Sequence, residues 1–205
     1  DVWRLIFDSN QPWILSANGT IFTYERKGIV PGLLERWYAE RKEMQAKQRE
    51  EDSAGQTEKA AYWDKRQLVK KINLNSLYGA ILNPGCRFFD QRIGQSTTLT
   101  GRIIAQHMDA FTNEAITGKY DHVGEAIIYG DTDSVYFSAW PAIKEEVESG
   151  RMEWNKEICV QLYDTIADAV NESFPAFMER ACHCPRDMGS IIAAGRELVA
   201  VKGLF

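Results

Sequence analysis

Read as a string of apolar and polar positions, the chain changes period several times, and each change predicts an element. Trp13–Leu15 and Ile21–Tyr24 are short β-prone runs either side of Asn18-Gly19, the strongest short-range hairpin signal. Gly28 to Pro31 breaks that pattern, and Pro31 suits the first turn of a helix. From about Pro31 to Glu51, Leu33, Leu34, Trp37 and Tyr38 recur at helical spacing among Arg, Lys, Glu and Gln. Asp52-Ser53-Ala54-Gly55 is a break, after which Thr57 is placed to cap a second helix running to about Leu82, where Asn83-Pro84-Gly85 stops it. Two helices of roughly 30 Å joined by a short loop form an antiparallel helical hairpin. Cys86–Asp90 reads as a short strand, and Thr97–Thr117 as a helix with Leu99, Ile103, Ile104, Met108 and Phe111 inside. Next, the β-branched run of Ile127 and Ile128 enters Tyr129-Gly130-Asp131-Thr132-Asp133-Ser134, and Val135-Tyr136-Phe137 leaves it. That pattern predicts a tight hairpin within Gly124–Ser138, with two carboxylates at its tip. A long helix follows from about Trp154 to Cys182, with Pro175 placed to kink or divide it. Gly189–Phe205 alternates β-prone residues around Gly195-Arg196-Glu197, and the chain holds no internal repeat.

Composition narrows the class. With 205 residues, 44% hydrophobic and 26% charged, the chain suits one large globular domain or two small ones. A net charge of −5 argues against a protein that simply coats nucleic acid, while leaving room for an enzyme holding metal in an acidic cleft. Cys86, Cys159, Cys182 and Cys184 form no C-x-x-C pair, which favours reduced thiols over a zinc site. No apolar run approaches a membrane span, and the opening residues are not expected to be a signal peptide. The chain starts at Asp1 and stops at Gly203-Leu204-Phe205 in mid-pattern, so the expectation is a piece of a longer protein.

Two constellations carry chemistry. Asp131 and Asp133, two residues apart in extended chain, would lie about 6–7 Å apart. At an effective dielectric near 20 their repulsion is about 2.5 kcal/mol. A hard cation such as Mg²⁺ would relieve it, the plain alternative being a solvated Asp-rich turn. On the second helix, Lys71, Asn75 and Tyr78 stand at i, i+4 and i+7, on one face. Gly79 follows inside the helix at a cost of about 1 kcal/mol relative to Ala, which makes sense where something approaches the backbone closely. The plain alternative is a solvated face. His107 reads as a core or helix-surface histidine rather than a ligand.

The order of these motifs resembles family B DNA polymerases, particularly the phage replicative type. Lys71-Ile72-Asn73-Leu74-Asn75-Ser76-Leu77-Tyr78-Gly79 is similar to the family's fingers motif Lys-x-x-x-Asn-Ser-x-Tyr-Gly, and Tyr129–Ser134 to its palm metal motif. The resemblance implies an α+β fold. Residues 1–30 would be the hairpin and entry to the fingers, 31–83 the fingers helical hairpin, and 84–205 a partial palm with an antiparallel sheet backed by helices. It implies nucleotidyl transfer from a dNTP to a primer 3′-hydroxyl, assisted by two Mg²⁺ ions. Asp133 would be the stronger metal ligand, Asp131 an adjacent ligand or support, and Glu197 an accessory carboxylate. Lys71 would reach the triphosphate and serve as an acid, Arg41 would grip the γ-phosphate, and Asn75 would position the triphosphate. Tyr78 and Gly79 would pack against the nascent base pair. Expected partners are primer–template DNA, dNTP and, in the intact protein, a sliding clamp, with no membrane. The expected location is the cytoplasm, that of the host cell for a phage-encoded enzyme.

The sequence departs from the family pattern in two places. Gln45 stands where a second cation is usual, four residues after Arg41, and the palm motif Asp-x-x-Ser-Leu-Tyr-Pro is absent. The chain alone is therefore expected to be inactive. Rival readings are another palm-type nucleotidyl transferase, such as a cyclase or an RNA-templated polymerase, and a non-enzymatic helical interaction module. The Lys71–Tyr78 face discriminates against the first, and a metal titration at the hairpin against the second.

Overall fold

Why residues 23–95 form an arm of their own is visible in how little they bury. The computed structural model describes residues 2–200. The chain divides into two compact units, one of Thr23–Gln95 and one of the residues up to Phe22 and from Ser96 onward. The whole is α+β, mostly helical, with two separate two-stranded antiparallel sheets among the described residues.

In the smaller unit, helices α2 (Ile29–Ser53) and α3 (Thr57–Ile81) pack together. Contacts between them run in opposite chain order. Glu40 pairs with Lys70, Arg41 with Gln67, Lys47 with Trp63 and Glu51 with Lys59, so the helices are antiparallel. Among the described residues α2 has none fully buried and α3 only Ala60, so the seam is polar and aromatic rather than an apolar core. Lys47 lies 4.6 Å from the centroid of the Trp63 ring and Lys70 5.7 Å from that of Trp37, contacts worth about 0.5–1 kcal/mol each at exposed sites. The Lys70 hydrogen bond holds the Glu40 carboxyl below its usual range.

Two sequence expectations fail here for local reasons. Thr57 does not cap α3. Gly55, at φ 71°, turns the chain early enough that the Gln56 carbonyl accepts the first helical bond, from Ala60 N–H at 2.9 Å, and Gln56 takes the cap position. Cys86–Asp90 is not a strand, because its main chain is used in consecutive turns. Cys86 N–H donates to the Asn83 carbonyl at 2.9 Å and Phe89 N–H to that of Cys86 at 3.1 Å, leaving no free ladder. Asp90 then starts α4 (Gln91–Thr117) six residues before Thr97, its carboxylate accepting the Arg92 N–H at 2.9 Å. The Arg92 guanidinium holds that carboxyl at about 2. Gly94 is required because Leu82 occupies the space a Cβ would take.

The larger unit begins with α1 (Val2–Phe7) and the hairpin β1 (Trp13–Leu15) with β2 (Ile21–Thr23). Gly19 turns that hairpin at φ 82°. Its core lies chiefly between α4 and α6 (Lys156–Cys182). Met108, Val170 and Phe174 are buried with Val135, Ile192 and Ala194 packed on them. Ile116, Ala126, Ala139 and Ile166 form a second cluster, joined by Phe137 and Tyr163. Each large apolar side chain so buried contributes about 1.5–3 kcal/mol. Pro175 does not divide α6, and the four-residue turn α7 (Arg186–Gly189) sets Gly189 directly against it. Helix α5 (Trp140–Glu148) is an addition the apolar pattern does not announce.

Among the described residues, the segment after α7 does not form the strand its alternation predicts. The Asn171 amide replaces a strand partner, donating to the Ala194 carbonyl at 3.0 Å and accepting its N–H at 2.6 Å. Arg196 is then held by Asp164 at 2.5 Å. Residues 201–205, part of the same expectation, lie outside the described residues. His107 is buried as expected for a core histidine, bonded to Tyr120 at 2.8 Å and Ser173 at 2.9 Å and stacked on Phe177. Burial pushes its pKa down to about 4. All four cysteines are free, and among the described residues no helix is long and apolar enough to cross a membrane.

Candidate active site

The acidic hairpin forms as the sequence predicts, from β3 (Ile127–Asp131) and β4 (Ser134–Phe137). Asp131 pairs with Ser134, leaving Thr132 and Asp133 as a two-residue tip. Thr132 sits at φ 50°, an uncommon conformation for a β-branched residue. It lets Asp133 N–H fold back to the Asp131 carbonyl at 2.5 Å, a three-residue turn. The Ser134 hydroxyl donates to the same carbonyl at 3.1 Å, and the Thr132 hydroxyl to the Asp131 carboxylate at 2.9 Å. Asp131 is thus the hub of the turn. The Asp133 carboxylate is exposed and has no partner among the described residues, so its oxygens are open to a cation.

A second layer of residues, silent in the apolar pattern, fixes this turn. Asn113 of α4 is buried, accepts Ala126 N–H at 3.1 Å and donates to the Lys119 carbonyl at 2.8 Å, clasping the loop that leads into β3. Gly124 carries no side chain because Asn113 fills that space. One turn earlier, Asp109 packs against β3. A Cβ on Gly130 would lie 3.3 Å from Asp109 Oδ2, while Oδ1 is buried without a hydrogen bond. Burial raises the Asp109 pKa to about 6, with His122 opposing the shift. A polar run (His107, Asp109, Thr112, Asn113) interleaved with Met108 and Phe111 was the available sequence signal for both residues.

The pH consequence can be worked out. The folded state holds the Asp109 proton more tightly than the unfolded state, whose carboxyl titrates near 3.8. Its destabilising effect is therefore absent only below about pH 3.8, grows as pH rises from there, and is complete above pH 6. Asp109→Asn should raise stability at pH 7–8 by about 1–2 kcal/mol, allowing for partial solvent screening, and by only a small fraction of that near pH 4. His107 acts in the opposite sense, giving stability that is present above pH 6.5 and lost as pH falls toward 4. Thermal melts of both proteins from pH 4 to 8 check this, and equal midpoints at pH 8 would contradict it.

The other candidate residues lie on the helical arm. Lys71, Asn75 and Tyr78 are exposed along one face of α3, and neither the Lys71 amine nor the Asn75 amide has a partner among the described residues. Arg41 of α2 is half-buried and meets α3 at Gln67, one turn before Lys71, while Gln45 stands one turn after Arg41. A Cβ on Gly79 would meet nothing within 4 Å, so no contact among the described residues demands glycine there. Gly79→Ala should therefore stabilise the helix by roughly 0.5–1 kcal/mol. In the intact enzyme it should also slow incorporation, if the open side receives substrate. Melting and single-turnover assays read the two effects separately, and a variant both more stable and fully active would remove Gly79 from the site.

Glu197 is exposed on the irregular segment beyond Arg196. Among the described residues no group of three or more His, Cys, Asp or Glu side chains is arranged to hold a metal, so Glu197 does not join Asp131 and Asp133 in such a cluster. The hairpin still fits Mg²⁺. That ion is commonly held by one or two carboxylates together with substrate phosphates, and Asp133 offers unengaged oxygens beside Asp131.

An acidic strand turn and a cation-bearing helical arm on one chain define the kind of parts that phosphoryl-transfer enzymes use. Residues 12–166 match the family model for DNA polymerase family B, and the chain belongs to that family. The matched span takes in Arg41, Lys71, Asn75, Tyr78, Asp131 and Asp133 but ends before Glu197. The chain is 38% identical over 84 residues to the DNA-directed DNA polymerase of Escherichia phage RB69, covering 40% of this chain and 9% of that protein. It is 38% identical over 112 residues to the DNA polymerase delta catalytic subunit of Oryza sativa subsp. japonica, covering 54% and 10%. With the DNA-directed DNA polymerase of Enterobacteria phage T4 the identity is 39% over 74 residues, covering 34% and 8%. The chain thus spans about a tenth of the length of these relatives.

Proposed function

We propose that this chain supplies fingers and part of the palm of a DNA-directed DNA polymerase, residues 31–83 being the fingers and 84–205 the partial palm, with 1–30 leading into the fingers. The observation that carries the reading is the hairpin tip. Asp131 is tied down by the Thr132 hydroxyl, while the Asp133 carboxylate is left exposed without a partner among the described residues. Two Mg²⁺ ions, when bound, would activate the primer 3′-hydroxyl and neutralise the departing pyrophosphate. Asp133 would be the principal ligand, with Asp131 beside it. Glu197 is an accessory ligand only if the segment after Arg196 is reorganised.

The residues of the arm act on the nucleotide. Lys71 would contribute a compact charge to the triphosphate and give a proton to the leaving group. Arg41 presents a planar fork to the γ-phosphate. Asn75 orients the triphosphate, and Tyr78 beside Gly79 offers an aromatic face to the base pair being formed. Primer–template DNA and dNTP are the substrates, with a sliding clamp as a partner of the intact enzyme.

The test is product analysis. The intact enzyme carrying this chain, given primer–template, four dNTPs and Mg²⁺, should lengthen the primer with the nucleotide the template dictates. A cyclic nucleotide, copying of an RNA template only, or no reaction at all would each contradict the assignment.

A further inference from the structure

The cations along the seam between α2 and α3 are treated unequally. Lys70 is paired directly with the Glu40 carboxylate, and Lys59 faces Glu51 at 3.9 Å. Arg41 meets no carboxylate among the described residues. Its Nε donates to the Gln67 side-chain oxygen at 3.2 Å, and the Gln67 amide nitrogen donates to Asp64 Oδ1 at 3.0 Å. Only one orientation of that amide serves both neighbours, because a guanidinium can only donate and a carboxylate can only accept. All three side chains are half-buried between the helices. The two terminal nitrogens of Arg41 have no partner among the described residues.

We propose that Gln67, held by Asp64, is the positioning residue of Arg41, fixing the guanidinium through its inner nitrogen while leaving its outer fork and its charge open to a triphosphate. The inference rests on the reading of Arg41 as a phosphate-binding residue. A carboxylate at position 67 would hold the arginine as firmly, but it would neutralise the charge and compete for the fork that a phosphate needs. A neutral amide orients the group without spending its charge. Asp64, one step removed, locks the amide and thereby sets the direction in which Arg41 points.

The test moves the negative charge by one side chain. Asp64→Asn/Gln67→Glu keeps net charge, near-identical shape and a bonded chain of three groups, but puts the carboxylate against Arg41. In the intact enzyme with primer–template, nucleotide affinity is read from the concentration dependence of single-turnover incorporation, for the wild type, Arg41→Ala, the double variant and the triple combination. The expected result is a double variant that melts no lower than wild type, binds dNTP about tenfold more weakly, and adds no further loss once Arg41 is alanine. Wild-type dNTP affinity in the double variant would overturn the inference, as would a loss that persists undiminished on the Arg41→Ala background. If Arg41→Ala itself leaves dNTP affinity unchanged, the phosphate-binding reading of Arg41 fails, an outcome distinct from failure of the Gln67 inference alone.

Discussion

Replacing Asp133 with asparagine should abolish nucleotide incorporation by the intact enzyme while leaving primer–template binding and folding near wild type. The carboxylate is exposed and makes no hydrogen bond or ion pair among the described residues, so exchanging one oxygen for an amide nitrogen removes no internal contact. The loss falls on cation binding, because a neutral amide is a poor ligand for a hard divalent ion. A loss on the order of 10³-fold or more is expected, equivalent to about 4 kcal/mol of transition-state stabilisation. Single-turnover incorporation in Mg²⁺, with DNA affinity measured in parallel, checks this. Asp131→Asn should be less clean, because that side chain also accepts the Thr132 hydroxyl and its residue anchors the turn.

Lys71→Ala is the second large effect expected. The Lys71 amine is exposed with no partner among the described residues, so truncation should cost little stability. Removing one preorganised charged group from a transferring phosphoryl centre typically costs about 10²–10³-fold. The loss should divide between nucleotide affinity and rate. Lys71→Arg should recover part of the affinity but less of the rate, since a guanidinium does not give up its proton. A control is built into the same helix. Lys70→Ala removes the cation paired with Glu40 and should weaken the α2–α3 seam without a specific effect on triphosphate binding. Equal kinetic losses for Lys70→Ala and Lys71→Ala would show that only arm integrity had been measured.

The parts of the fold that the sequence announced are those governed by local period and turn chemistry. Asn18-Gly19 and the stop at Asn83–Gly85 mark turns in the structure, whereas of the break expected at Asp52–Gly55 only Ala54-Gly55 is a turn, α2 running on through Ser53. The tip at Thr132-Asp133 was legible because β-branched runs flank a Gly-Asp-Thr-Asp core. What stayed hidden depends on partners distant in the chain. The segment around Ala194 alternates like a strand, yet Asn171 of α6 takes its main-chain groups. Thr57 looks like a cap until Gly55 turns the chain one residue too soon. The supports of the candidate site were hidden for the same reason. Asn113 and Asp109 stand out only once the α4 face they share is seen against the loop into β3 and against Gly130. The Lys71, Asn75 and Tyr78 face needed only helical period, whereas the tie between Arg41 and Gln67 needed the packing of two helices.

The claim on which the rest depends is that the Asp131–Asp133 turn holds a divalent cation for nucleotidyl transfer. Mn²⁺, which is paramagnetic and takes the same oxygen ligands, reports on it directly. Electron paramagnetic resonance counts bound Mn²⁺ in the intact enzyme with a primer–template that lacks a 3′-hydroxyl and the matching dNTP. The expected result is bound Mn²⁺ in the wild type and loss of at least one ion from an Asp131→Asn/Asp133→Asn variant that still binds DNA. The same number of ions, bound with the same affinity in both proteins, would contradict the account.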